Sequence, residues 1–136
     1  AHDRIRENVK LPTTRTTLNM YVNDALGFRM VPEQTLYYSE NAFGHTDAIS
    51  FRKNLLRIHD LKTGDNETTF QQLKVYAALF CLEYGFRPFD IKMELRIYQS
   101  NHVKVYEPDP GDIVHIMDRI VTADARIRLP CSRPHA

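Results

Sequence analysis

The stretch Arg57-Ile58-His59-Asp60-Leu61-Lys62-Thr63-Gly64 decides how this chain is read. Leu55, Leu56 and Ile58 read as a β-strand over 55–62, and Gly64 follows in a turn-rich loop over 63–68. Asp60 and Lys62 break that pattern, because they put a carboxylate and an ammonium at the end of a strand whose earlier positions are apolar. The residues just upstream explain the break. Residues 45–52 read as a second strand, and Lys53-Asn54 reads as the two-residue turn between the two. That turn pairs Arg52 with Leu55, Phe51 with Leu56 and Ile49 with Ile58, and continuing the ladder sets Asp47 opposite Asp60. Directly opposed residues share a face, with Cβ atoms about 4.5–5.5 Å apart. Lys62, two residues past Asp60, falls on that face as well. A core stripe therefore ends in two carboxylates and an ammonium. Two aspartates this close repel, and a divalent cation removes the conflict. Hard oxygen donors suit Mg²⁺ or Mn²⁺, which also bind phosphate.

Outward from this hairpin, residues 14–26 read as a helix capped by Thr13 or Thr14 and ended at Gly27. Pro32 breaks the chain, and 35–39 reads as a strand. Residues 69–83 read as a helix with Thr68 or Thr69 starting it in a capping box, Gly85 at its end and Pro88 blocking its return. Residues 90–98 alternate, with Ile91, Met93, Leu95 and Ile97 on one face. Ser100-Asn101-His102 turns the chain into a hairpin partner at 103–107. A last helix over 111–125 carries Ile113, Ile116, Met117, Ile120 and Val121 on one face. The order predicts a sheet packed by helices, of the mixed α/β or α+β class, in one domain spanning 1–136 with 1–10 and 128–136 as flexible ends.

Three segments in order resemble a known family. Gly44-His45-Thr46-Asp47-Ala48-Ile49, then Ile58-His59-Asp60-Leu61-Lys62-Thr63-Gly64, then Gln72-Leu73-Lys74-Val75-Tyr76, resemble the consecutive motifs of the PD-(D/E)XK nuclease superfamily, closest to its RecB-like and phage exonuclease branch. The resemblance covers about residues 36 to 77, and the rest only by element order. It implies a restriction-endonuclease-like αβββαβ core with a mixed central sheet flanked by helices. It implies a metal-dependent deoxyribonuclease that hydrolyses phosphodiester bonds, an exonuclease of phage or bacterial DNA processing, recombination or repair. Under it, Asp47 and Asp60 ligate Mg²⁺ or Mn²⁺, the Leu61 backbone carbonyl is a further ligand, and Lys62 helps activate or place the attacking water. Gln72 and Tyr76, four apart on one helix face, support Lys62 or touch the DNA backbone. The family usually adds an acidic residue or a histidine from the first helix. Asp24 is the best-placed candidate for it, ahead of Glu33 and Glu40. Thr46 stands where the superfamily name has proline. His45, two residues before Asp47, is a candidate phosphate or metal contact, set against a plain solvated reading. His59 points to the opposite face from Asp60 and reads as packing.

Composition bounds the alternatives. The chain has 136 residues, 43% hydrophobic and 26% charged, which is the range of a single globular domain. No apolar run reaches the roughly 18 residues of a membrane span, and the polar, charged start at 1–10 is no secretory signal. A bacterial or phage-infected cytoplasm is the expected compartment, with DNA as partner, a homo-oligomer or a recombination protein as possible further partners, and no membrane. Ala1 is no initiator methionine, so a trimmed chain or a piece of a longer enzyme stays open, although the compact motif spacing favours a small stand-alone protein. Cys81 and Cys131 are too few for the four-cysteine iron–sulfur cluster of some relatives, and Cys81 reads as a buried, reduced thiol. With 18 Lys and Arg against 17 Asp and Glu, the net charge of +1 gives no broad nucleic-acid footprint. Lys10, Arg15, Arg29, Arg52, Lys53 and Lys74 are spread along the chain and read as solvated by default. A competing reading follows: a nuclease-like domain without activity that binds DNA or a protein.

Overall fold

The computed structural model of the protein describes residues 16–64 and 67–128. Thr13, Thr14, Lys10, Arg15, Cys131 and the two expected flexible ends, save Arg128, lie outside the described residues. The first helix, α1 (Thr17–Gly27), is capped by Thr16, whose hydroxyl accepts the Asn19 N–H at 3.4 Å. A short strand β1 (Val31–Pro32) follows, then β2 (Thr35–Ser39), β3 (Ala42–His45), β4 (Ala48–Arg52) and β5 (Leu55–Leu61). Helix α2 (Gln71–Tyr84) leads to β6 (Lys92–Gln99), β7 (His102–Tyr106) and α3 (Pro110–Arg128). The class is α+β: a mixed five-stranded sheet of order β1-β4-β5-β6-β7, flanked by helices, with β2 and β3 as a separate antiparallel pair. Within the large sheet only β5 and β6 run parallel, joined by α2 as the crossover that parallel pairing demands.

The β4–β5 hairpin forms in the register that its turn residues dictate, with Arg52 against Leu55, Phe51 against Leu56 and Ile49 against Ile58. Lys53 and Asn54 both take positive φ, 52° and 61°, the conformation that matches the strand twist in a two-residue hairpin. Ser100 and Asn101 repeat this between β6 and β7, at 52° and 63°.

Alternation sends neighbouring residues to opposite faces of the sheet. Leu56, Ile58, Ile49, Met93, Leu95 and Ile97 bury against α2 and α3, with Leu73, Ala77 and Ile113 from those helices. Ala48 and Tyr98 bury against α1 through Tyr21, Val22 and Ala25, with Leu61 packed at the margin. Each fully buried side chain of this kind stabilises the fold by about 1.5–3 kcal/mol.

The elements depart from the sequence reading in several places, one being Pro32, which pairs with Ala48 in β1 instead of breaking the chain. The expected strand over 45–52 is two strands, because the chain leaves the β2–β3 pair after His45 and enters the large sheet only at Ala48. The capping box of α2 does not form: Phe70 holds the cap position with no side-chain bond, Gln72 turns to Lys62, and Thr68 donates to Gln99 instead. Residues Pro88–Asp90 form a 3-10 turn, so β6 starts at Lys92. Val121 is 39% exposed, outside the buried stripe of α3, since the helix contacts its neighbours along a narrower face than its apolar residues occupy.

Gly44 is where β3 meets α2. A Cβ there would stand 2.6 Å from Cε1 and 2.9 Å from Cδ1 of Tyr76, closer than real contacts allow. Gly44→Ala is expected to push the Tyr76 ring off its seat and destabilise the protein by about 1–3 kcal/mol. Urea denaturation measures this, and an unchanged midpoint would show that the ring has room to move.

Candidate active site

The acidic cluster is built where β4 begins and β5 ends. Asp47 sits in the bend between the two sheets, one residue outside the ladder, whose last pair is Ala48 with His59. Backbone bonds hold that bend. The Asp47 carbonyl accepts the Glu33 N–H at 2.9 Å, and the Thr46 N–H and hydroxyl both reach the Gln34 carbonyl at 2.9 Å. Thr46 thereby serves as a buried anchor of the bend. Asp47 is thus not laddered to Asp60 by backbone. Instead its Oδ2 accepts the Leu61 N–H at 2.9 Å, which draws the carboxylate to the end of β5.

Asp60 is 7% exposed. Its Oδ2 has no hydrogen-bond donor in good geometry, yet the Lys62 ammonium stands 2.9 Å from it. Lys62 Nζ also donates to Gln72 Oε1 at 3.2 Å, so α2 holds the lysine against the strand end. Burial pushes the Asp60 carboxyl up; Lys62 opposes this and the Asp47 carboxylate adds to it, leaving it at about 6. The hydrogen bond to Asp60 raises the Lys62 ammonium, so Lys62 keeps its proton at neutral pH. The Tyr76 ring lies on Gly44, and its hydroxyl is pushed up by burial and by the fields of Asp60 and Asp47. Asp47, Asp60, Leu61, Lys62, Gln72 and Tyr76 are therefore one group, drawn from three elements.

Two expected members stand elsewhere. Asp24 lies over the other face of the sheet, where its Oδ2 accepts the Tyr98 hydroxyl at 2.6 Å and faces Arg96 Nη1 at 3.4 Å. The reason is its phase on α1: Tyr21, Val22 and Ala25 turn into the sheet, and Asp24 is carried toward β6. His45 ends β3, exposed, with Nδ1 2.8 Å from the Thr35 hydroxyl and its ring edge-on to Phe43. Among the described residues, no third Asp, Glu, His or Cys joins Asp47 and Asp60 in a group able to hold an ion. His59 packs as expected, fully buried on the α1 face, with Nδ1 3.3 Å from the Tyr98 hydroxyl. Burial and the nearby Arg96 and Arg57 push it down to about 3, so it is neutral.

What α1 does bring toward the cluster is Tyr21. Its hydroxyl is raised far above the phenol range by burial first, then by the fields of Asp47, Asp60 and Glu33. Sequence reasoning passed over Tyr21 because an aromatic on an apolar helix face looks like core. The positive φ of Glu33, 54°, which brings its N–H to Asp47, leaves no mark in the sequence.

No protein-family model matches the chain, and no curated protein is significantly similar to it. A solved structure described as "Crystal structure of SSO0001" is similar at 15% identity and a TM-score of 0.44, across 79% of this chain and 57% of that one. The match thus spans a little over half the length of that protein.

The Asp60 environment predicts a pH signature. Its folded carboxyl, at about 6, lies above the ordinary 3.8, so the folded state holds the proton more tightly than the unfolded one. The associated stability is fully present below about pH 4 and is lost as pH rises through about 6. Asp60→Asn removes that loss, so without metal it is expected to gain on the order of 1–3 kcal/mol over the parent at neutral pH relative to pH 4. Urea denaturation of both proteins at the two pH values checks this; a difference independent of pH would rule it out.

Proposed function

We propose that the protein is a Mg²⁺- or Mn²⁺-dependent deoxyribonuclease, acting as an exonuclease in phage or bacterial DNA processing, recombination or repair. One observation carries the reading: two carboxylates and an ammonium meet at the end of β5, with Gln72 and Tyr76 of α2 beside them. The donor set fits a hard cation. Mg²⁺ is commonly held by one or two carboxylates with water completing its shell, and Asp60 Oδ2 is a buried carboxylate oxygen that faces only the Lys62 ammonium among the contacts of the described residues. Asp47 and Asp60 would hold the ion, with the Leu61 carbonyl as a further oxygen. When bound, the ion supplies Lewis-acid polarisation of water and of a phosphoryl oxygen.

The chain's own residues account for the remainder. Asp47 and Asp60 are acceptors that orient the attacking water. That water gives up a proton to solvent as its oxygen bonds to phosphorus, the P–O3′ bond opposite it breaks, and the leaving O3′ takes a proton from solvent. Lys62, fixed by Asp60 and Gln72, places positive charge where negative charge develops on the phosphoryl oxygens. Lys62→Ala is expected to lower cleavage of linear DNA by about 10²–10³-fold while the fold persists, and Asp60→Asn to remove it. A gel assay with Mg²⁺ or Mn²⁺ reads both, and undiminished degradation by either variant refutes the assignment.

A second reading has its own observation, namely that the described residues bring no third acidic or histidine ligand to Asp47 and Asp60. Under it the domain binds DNA or a protein without cutting. Calorimetry with Mn²⁺ separates the two: heat of binding that is lost in Asp60→Asn favours the nuclease, and none at millimolar metal, with or without DNA, favours the binding domain.

A further inference from the structure

The hairpin that ends in acid at β5 ends in base at its turn. Among the described residues, Arg52, Lys53, Arg57 and Lys92 line one cavity of about 490 Å³ on the α1 side together with Phe28, and no Asp or Glu lines it. The sequence scatters these cations over forty positions; the fold gathers them. Lys92 joins because its N–H donates to the Asn54 carbonyl at 2.8 Å, which ties the start of β6 to the turn. Arg57 is fixed. It pairs with Glu94, and its guanidinium carbon lies 3.8 Å from the centre of the Phe28 ring. Glu94 is also engaged by Arg96, at 2.9 Å, so the nearest carboxylate is already shared between two cations. Arg52, Lys53 and Lys92 are exposed and have no ion pair among the described residues. A chain of net charge +1 thus concentrates uncompensated positive charge in one concavity.

We propose that this cavity is a binding site for the phosphate backbone of a polynucleotide, with Arg52, Lys53 and Lys92 each meeting a phosphate and Arg57 forming its fixed floor. The volume exceeds what one phosphate fills, and cations from two strands and a turn suit a ligand with repeated charges. The site lies roughly 16 Å along β5 from Asp60 at about 3.3 Å per residue, and it needs neither Asp47 nor Asp60. It stands whether or not the acidic cluster cuts.

The test uses the full chain in EDTA and the fluorescence anisotropy of labelled single- and double-stranded DNA of about 30 nucleotides, across a salt series. Replacing Arg52, Lys53 and Lys92 together by Gln should weaken binding at least about tenfold and reduce the slope of log affinity against log salt by about 2–3. A control triple, Lys104→Gln, Arg119→Gln and Arg126→Gln, removes equal charge from β7 and α3 and should stay within about twofold of the parent. Circular dichroism and thermal midpoints verify that both triples fold. Should the pocket triple lose its fold, charge-preserving Arg52→Lys with Lys53→Arg and Lys92→Arg must retain binding. Any of four results overturns the proposal: no DNA binding by the parent at low salt, equal loss in both triples, displacement of DNA by millimolar inorganic phosphate, or equal competition by polyglutamate. Asp60→Asn keeps binding in EDTA if the pocket acts alone, so failure of the pocket and failure of the nuclease reading are told apart.

Discussion

The two-residue turn at Lys53-Asn54 is the constraint on which the rest depends. It sets the register of β4 against β5, and β5 is the strand that pairs antiparallel on one side and parallel on the other. Strand side chains alternate, so a slip of one residue would turn Ile58 and Asp60 to α1 and bring His59 to α2. Two buried layers oppose that slip. Leu56 and Ile58 fill the α2 side, and Tyr98, pairing with Leu61, fills the α1 side. The register therefore carries the weight of both cores, and Asp60 rides on it into a position that a carboxylate would not choose by itself.

Alternation also separates two polar systems that lie side by side in sequence. On one face Asp60 meets Lys62 and is held near a half-ionised state at mildly acid pH. On the other, His59, Tyr98, Asp24 and Arg96 form a chain of bonds beneath α1. Burial and two nearby guanidinium groups keep His59 uncharged, and the Tyr98 hydroxyl gives it a partner while donating to Asp24. The second system is a brace between α1 and β6. Asp24 is engaged there, so the helix approaches the acidic cluster with a phenol instead of a carboxylate.

The hairpin carries opposite charge at its two ends, with carboxylates at its open end and guanidinium and ammonium groups at its turn. Net charge hides this, since the two ends cancel in the sum.

Much of the fold is legible in the sequence. The turn residues 53–54, the alternation through β5 and β6, and Gly85 as a left-handed helix stop at φ 75° are local chemistry, and local chemistry is written residue by residue. That Asp60 and Lys62 share a face with the end of the core stripe followed from the alternation, and the helical spacing of Gln72 and Tyr76 put them on one side of α2, but Asp47 reaches the group through its bond to the Leu61 N–H and not through the ladder. Other features answer to distant partners and were not legible. The break at Thr46-Asp47 exists because Glu33 and Gln34 bind its backbone. The place of Asp24 follows from which face of α1 found the sheet. The gathering of Arg52, Lys53, Arg57 and Lys92 depends on β6 lying parallel to β5. The sequence by itself determined periods, turns and register, because these are set within a few residues. Only the tertiary structure decided that Asp24 stays away from the acidic group and that four scattered cations share one concavity, because both depend on how separate elements pack.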